Sequence, residues 1–253
     1  MIWFVGAGSG AVDLITVRGR NLLRKADQII YAGSLVNPEL LSAAKPGAKI
    51  LDSAVMTLEE VVDAMLACER EGGMTVRLHT GDPALFGAIR EQMDALAAHG
   101  VAFDVVPGVS SFSAAAAALK AEYTLPGVSQ SLIITRMAGR TPVPEKEDIT
   151  RLAAHGASMA VFLSAGMLPE LQTRLLEGAY NEDTPAAIVY KASWPDELVL
   201  RCTVGTLAAT GQANGIGKTA LILVGGFLGD AYERSKLYDP DFTTGYRKGR
   251  DAD

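Results

Sequence analysis

Leu78-His79-Thr80-Gly81-Asp82-Pro83-Ala84-Leu85-Phe86-Gly87 reads as the end of a buried strand, a tight corner and the start of a helix. Pro83 fixes φ at the corner, and Gly81 lets another group approach the backbone closely. Asp82 admits two readings, a cap for the helix or a contact to a ligand. Two other strands end in the same style. Ile2–Val5 runs into Gly6-Ala7-Gly8-Ser9-Gly10-Ala11, and Phe103–Val106 runs into Pro107-Gly108-Val109-Ser110-Ser111. Three glycine-containing loops at the C-termini of strands in one sheet converge on one crevice, where α/β sheets bind ligands.

Outward from these loops, short apolar runs bounded by Gly, Pro or Asp alternate with Ala/Leu-rich helical stretches. The pattern predicts strands at Ile2–Val5, Gln28–Tyr31, Lys49–Leu51, Met74–His79 and Phe103–Val106. Helices are expected at Thr16–Ala26, Leu58–Glu71, Leu85–Ala98 and Ser110–Leu119. The alternation stops at Lys120–Gln130, which contains Pro126-Gly127, so an N-terminal α/β domain over 1–120 is followed by a C-terminal α/β domain over 121–253. There, strands are expected at Leu132–Thr135, Met159–Leu163, Ala186–Tyr190, Leu198–Thr203 and Ala220–Val224. Ser193-Trp194-Pro195-Asp196 leaves no room for a helix between 186–190 and 198–203, so these two form an antiparallel hairpin and the second sheet is mixed.

A length of 253 residues, 49% apolar and 21% charged, excludes a disordered, fibrous or coiled-coil chain. The net charge of −6 argues against a nucleic-acid-binding surface. Cys68 and Cys202 have no metal-ligand spacing and form no disulfide framework, which points to a reducing compartment. The apolar N-terminus lacks a basic n-region and reads as a strand, and no apolar run reaches the ~18 residues of a membrane span. A cytoplasmic protein without a membrane or nucleic-acid partner is expected.

Other motifs fail on context. Gly6-Ala7-Gly8-Ser9-Gly10-Ala11 satisfies the dinucleotide fingerprint as letters. Val12-Asp13-Leu14 delays the helix, however, and Tyr31-Ala32-Gly33-Ser34 offers no acid for a ribose, so a nicotinamide-binding oxidoreductase is the weaker reading. Gly215-Ile216-Gly217-Lys218-Thr219 mimics the end of a phosphate loop but leads into a strand. Gly108-Val109-Ser110-Ser111-Phe112 lacks the second glycine of a nucleophile elbow. His79, His99 and His155 are scattered, and no metal site is expected.

The three glycine loops, in this order and spacing, resemble those of the tetrapyrrole methylase family of S-adenosylmethionine-dependent enzymes, and the resemblance covers nearly the whole chain. That family's first loop usually has Pro where Ser9 stands and Asp where Ala11 stands. The resemblance implies two α/β domains with the cofactor cleft between them, usually in a homodimer, and a small-molecule tetrapyrrole substrate. It also implies cofactor contacts at Ser9, Gly81, Asp82, Leu85, Ser110 and Ser111, and in the second half at Ser164, Ala192 and Ala220. The substrate's carboxylates call for Arg forks, for which Arg136 and Arg140, flanking the interdomain loop, are the candidates. Methyl transfer from a sulfonium to an electron-rich carbon needs no metal and no covalent protein nucleophile, and no catalytic base is assigned. Positioning alone supplies up to ~7–11 kcal/mol in favourable cases.

Overall fold

A computed structural model describes residues 1–250 of the chain. It forms two compact units, Met1–Ala115 with Lys191–Glu197, and Ala116–Tyr190 with the chain from Leu198 onward. The sequence places the division at 120/121, just past the helix that crosses it.

The first unit is built on a parallel sheet of β1 (Ile2–Gly6), β2 (Gln28–Tyr31), β3 (Lys49–Asp52), β4 (Thr75–His79) and β5 (Phe103–Val106), in the order β3-β2-β4-β1-β5. Every neighbouring pair is parallel. Side chains alternate across the sheet, as the period of two requires. Val5, Ile29, Val76, Leu78 and Val106 pack on one face with Ile15 and Leu23. Ile2, Phe4 and Ile30 pack on the other with Val61, Val62, Met65 and Leu96. Burial on both faces is the condition under which a parallel sheet is stable. Met65 and Leu96 are fully buried, so truncating either to Ala costs about 2–5 kcal/mol.

Helices begin where the sequence supplies caps. Thr16 accepts from Gly19 N at 3.0 Å ahead of α1 (Val17–Leu23). Thr57 and Glu60 form a reciprocal capping box for α2 (Leu58–Arg70). α3 (Arg90–Ala98) is a correction to the expected start at Leu85. Phe86 and Ala88 sit at φ 56° and 49°, conformations no helix admits, and Gln92 Nε2 donates to Ala88 O at 2.9 Å, holding the preceding turn in place. Burial of Arg77 completes this arrangement. Its guanidinium donates to Gln92 Oε1 at 3.1 Å and to Ile30 O at 3.2 Å, and desolvation pushes its pKa down to about 10. α4 (Ser111–Leu119) stops at Lys120, which takes the left-handed conformation at φ 53°.

The second unit carries β6 (Leu132–Arg136), β7 (Ser158–Phe162), β8 (Pro185–Tyr190), β9 (Leu198–Thr203) and β10 (Ala220–Val224), in the order β6-β7-β10-β8-β9. Only β6 and β7 run parallel, and β8 and β9 form the expected antiparallel hairpin. The helices α5 (Ile149–Ala153), α6 (Leu168–Leu176) and α7 (Leu207–Ala213) cover its core through Ile149, Leu171, Leu175 and Leu207. The Gly215–Thr219 loop leads into β10, a strand, so no helix N-terminus stands there to face a phosphate.

Candidate functional site

The C-terminal edge of the parallel sheet interlocks the three glycine loops through their main chains. Ala7 N donates to His79 O at 2.7 Å, and Gly8 and Gly81 exchange two hydrogen bonds of 3.3 and 2.8 Å in an isolated bridge. A Cβ on Gly6 would lie 2.5 Å from Gly108 Cα and 2.6 Å from Gly81 O, so only glycine lets the β1 and β5 ends meet. The Asp82 carboxylate ties the same loops. One oxygen accepts from Ala84 N at 2.8 Å and the other from Gly108 N at 2.9 Å. Asp82 is therefore a cap to its own turn and a strut to the β5 loop at once.

Gly81, Asp82, Ser110 and Ser111 are thus brought together. Gly81 has φ 62°, and Ser110 Cα and Ser111 N lie 3.5 and 3.7 Å from where a Cβ on it would point. Leu85 N donates to Asp82 O at 3.2 Å, which keeps Leu85 on the adjoining turn. Two polar atoms in this region are buried without a partner, His79 Nε2 and Thr80 Oγ1. Burial, with a smaller push from nearby Arg77, drives the His79 pKa down to about 3, so the ring is neutral at physiological pH. It stacks on Phe4, with ring centroids 6.1 Å apart.

Ser9 is 6% exposed, and its hydroxyl is engaged by Ser193 Oγ at 2.8 Å. The Lys191–Glu197 segment belongs to the first unit and also contains Ala192, which is buried. Trp194 Nε1 donates to Ser9 O at 3.0 Å. In the sequence, Ser193-Trp194 reads as a plain hairpin connection. The available signal was a tryptophan in a turn, in a chain with two tryptophans, where an exposed indole needs a reason.

In the second unit, Ser164 follows the exposed, left-handed Leu163 at the end of β7. It is fully buried, with its hydroxyl donating to Phe162 O at 2.7 Å and accepting from Met137 N at 3.0 Å. Ala220 opens β10 opposite Tyr190. The Arg136 guanidinium donates to the carbonyls of Met137, Thr141 and Pro142 at 3.1, 3.2 and 2.7 Å, so it staples the loop after β6. Arg140, in that loop, is exposed and in no ion pair among the described residues.

Two chemistries lack their supports. After the first glycine turn comes a single 3-10 turn, Val12–Leu14, and α1 starts only at Val17, so no helix N-terminus directly follows the glycines to receive a pyrophosphate. Among the described residues, no group of three His, Cys, Asp or Glu side chains is placed to hold a metal ion. Among the described residues, no helix is long and apolar enough to cross a membrane.

The family profile described as Tetrapyrrole (Corrin/Porphyrin) Methylases matches residues 1–208. The chain belongs to this family. Among its relatives, the cobalt-precorrin-4 C(11)-methyltransferase of Methanocaldococcus jannaschii is 51% identical over 245 residues, covering 96% of this chain and 95% of the relative. The X-ray structure of a cobalamin biosynthetic enzyme, cobalt precorrin-4 methyltransferase CbiF, superposes with a TM-score of 0.89 at 49% identity, covering 90% of this tetrapyrrole methylase and 96% of that chain. A uroporphyrin-III C-methyl transferase from Thermus thermophilus, complexed with S-adenyl homocysteine, superposes with a TM-score of 0.73 at 26% identity, over 88% and 91% of the two chains. The two-sheet α/β architecture expected of the family is the one observed.

Proposed function

We propose that this tetrapyrrole methylase transfers the methyl group of S-adenosylmethionine to C11 of precorrin-4, or of its cobalt-containing counterpart, in cobalamin biosynthesis. The observation that carries the reading is the interlocked set of glycine loops at the C-terminal edge of the parallel sheet. It is supported by relatives near 50% identity that carry this activity in their names. The residue blocks Leu14–Gly19, Tyr31–Val36, Thr80–Arg90 and Gly139–Glu145 resemble the precorrin-4 C11-methylating branch of the family as well.

The residues present fit an adenosyl ligand. The unpartnered Thr80 Oγ1, at the end of β4 and beside the Gly81 corner, is a polar atom in want of a partner. Gly81, Asp82, Leu85, Ser110 and Ser111 would hold the cofactor, with Ser9, Ala192, Ser164 and Ala220 contributing. Ser9 and Ser164 would act through their main chains, because their hydroxyls are already engaged. When bound, S-adenosylmethionine supplies a methyl on a sulfonium, already activated for in-line displacement, with S-adenosylhomocysteine as the product. The chain's part is to align the two reactants and exclude water. Of the two arginines, Arg140 suits a substrate carboxylate better, because the Arg136 donors already meet three carbonyls. A cytoplasmic homodimer completes the proposal, and free Cys68 and Cys202 suit that reducing compartment.

Incubation with methyl-labelled S-adenosylmethionine and precorrin-4, or cobalt-precorrin-4, followed by NMR, is expected to place the label at C11. Label at C1 or C17 would refute the regiochemistry, and no transfer to either macrocycle would refute the substrate.

A further inference from the structure

The first glycine turn is the most deformable part of the loop edge, with three glycines in five residues and Gly8 and Gly10 at φ 82° and 156°. Left alone, such a turn samples many shapes. Here it is fixed by a segment far away in sequence. Ser193 Oγ meets Ser9 Oγ at 2.8 Å and accepts from Ala11 N at 3.1 Å, while Trp194 Nε1 donates to Ser9 O at 3.0 Å. The indole ring lies directly on Gly10, where any Cβ would run into it. From the other side Asn37 Nδ2 donates to Gly10 O at 2.8 Å. The Lys191–Glu197 segment is itself braced. Lys191 and Ser193 hold left-handed conformations at φ 46° and 67°. Lys191 Nζ pairs with Asp196 at 2.6 Å and stands 5.5 Å above the Trp194 ring, and Glu197 accepts from Ser193 N at 2.6 Å. Non-glycine residues kept in left-handed backbone collect where function requires a fixed shape.

We propose that Ser193 and Trp194 are positioning residues of the S-adenosylmethionine site, the Lys191–Glu197 segment serving as a strap that fixes the Ser9–Ala11 turn in its ligand-ready shape. The inference rests on the reading of that turn as part of the cofactor site. Preorganisation removes the ordering cost of binding, so its loss appears as weaker affinity.

Calorimetric titration with S-adenosylhomocysteine, beside thermal melts, tests the strap. Trp194→Ala is expected to weaken binding by about ten-fold or more, and Trp194→Phe, which keeps a ring on Gly10, to recover most of that loss. Ser193→Ala, a smaller change, is expected to weaken binding about three-fold or more by freeing Ser9 Oγ and Ala11 N. In turnover, the variants raise KM for S-adenosylmethionine and leave kcat in place, the mark of lost ground-state binding. A lowered melting temperature with wild-type affinity in both Trp194→Ala and Ser193→Ala would make the strap purely structural and overturn the proposal. Should Trp194→Ala fail to fold, Ser193→Ala and Trp194→Phe decide, with wild-type affinity in Ser193→Ala overturning it. Wild-type protein that does not bind S-adenosylhomocysteine would instead overturn the cofactor reading, and the strap with it.

Discussion

Acid should weaken this fold through His79. The ring is buried on the face of β4 that also carries Arg77, packed on Phe4, with Nε2 unpartnered, and burial holds its pKa at about 3 against an ordinary 6.5. Between those two values the unfolded chain binds a proton that the native chain refuses, so stability rises with pH across the window and is lost as pH falls. The contribution is complete above about pH 6.5 and declines below it. With one unit of pKa worth 1.36 kcal/mol, acidification from about pH 7.5 to about pH 5 removes about 2 kcal/mol through this residue alone. That corresponds to about 4–8 °C in melting temperature for a chain of this size. Carboxylates remain largely ionised at both ends of that range, so they add little to the difference. Met fills a comparable volume without a titrating atom, and it removes the unpartnered nitrogen that costs about 1–3 kcal/mol. His79→Met is therefore expected to be at least as stable as wild type at the upper pH and to gain on it by about 2 kcal/mol at the lower, because it has no imidazole to protonate. Melts of both proteins across the range measure the difference in slope. Equal slopes would refute the reasoning, because they would mean that His79 takes up its proton in the native state.

Asp82→Ala removes the acceptor for two main-chain donors, exposed Ala84 N and part-buried Gly108 N, and is expected to cost about 1–3 kcal/mol in stability and to weaken S-adenosylhomocysteine binding. Asp94→Ala, which breaks only an exposed pair with Arg90, should change neither by a measurable amount in the same melts and titrations. Because Gly81 holds φ 62° while the space beside it is ordinary van der Waals contact, Gly81→Val is expected to lower stability through backbone strain rather than pass as a folded non-binder. Gly81→Asn should be tolerated better than Gly81→Ala in denaturant titrations. Arg140→Ala should raise KM for the tetrapyrrole with little change in melting temperature, whereas Arg136→Ala, which frees three loop carbonyls, should lower the melting temperature first.

Where local chemistry decides, the sequence was readable. The strands at Gln28–Tyr31, Leu198–Thr203 and Ala220–Val224 stand where apolar, β-rich runs between turn residues put them. The hairpin of β8 and β9 followed from the lack of room for a helix. The misplaced start of α3 shows the limit. Ala84-Leu85-Phe86-Gly87-Ala88-Ile89 is apolar and favourable to helix, yet the buried Arg77–Gln92 pair, from residues fifteen apart in the chain, holds Ala88 O and keeps the turn open. Trp194 and Ser9 are 185 residues apart, and no periodicity links them. Arg136 was visible as a charge, but where its donors point depends on how the loop to Pro142 folds back.

Two of the serines proposed as cofactor contacts have hydroxyls that are already committed. Ser9 Oγ is engaged by Ser193, and Ser164 Oγ bridges Phe162 O and Met137 N within a fully buried position. Substituting Ser164 by Ala would strand Met137 N and cost about 1–3 kcal/mol before any ligand is considered. These serines therefore shape the loops. Glycine is required at Gly6 and Gly108 because a Cβ at either would run into the neighbouring loop and hold the strand ends apart. Asp82 and Arg136 shape the backbone in the same way. Asp82 turns its two oxygens onto backbone amides, and Arg136 turns its donors onto backbone carbonyls. For the cofactor site proposed above, loosening a turn is expected to weaken binding as removing a contact would.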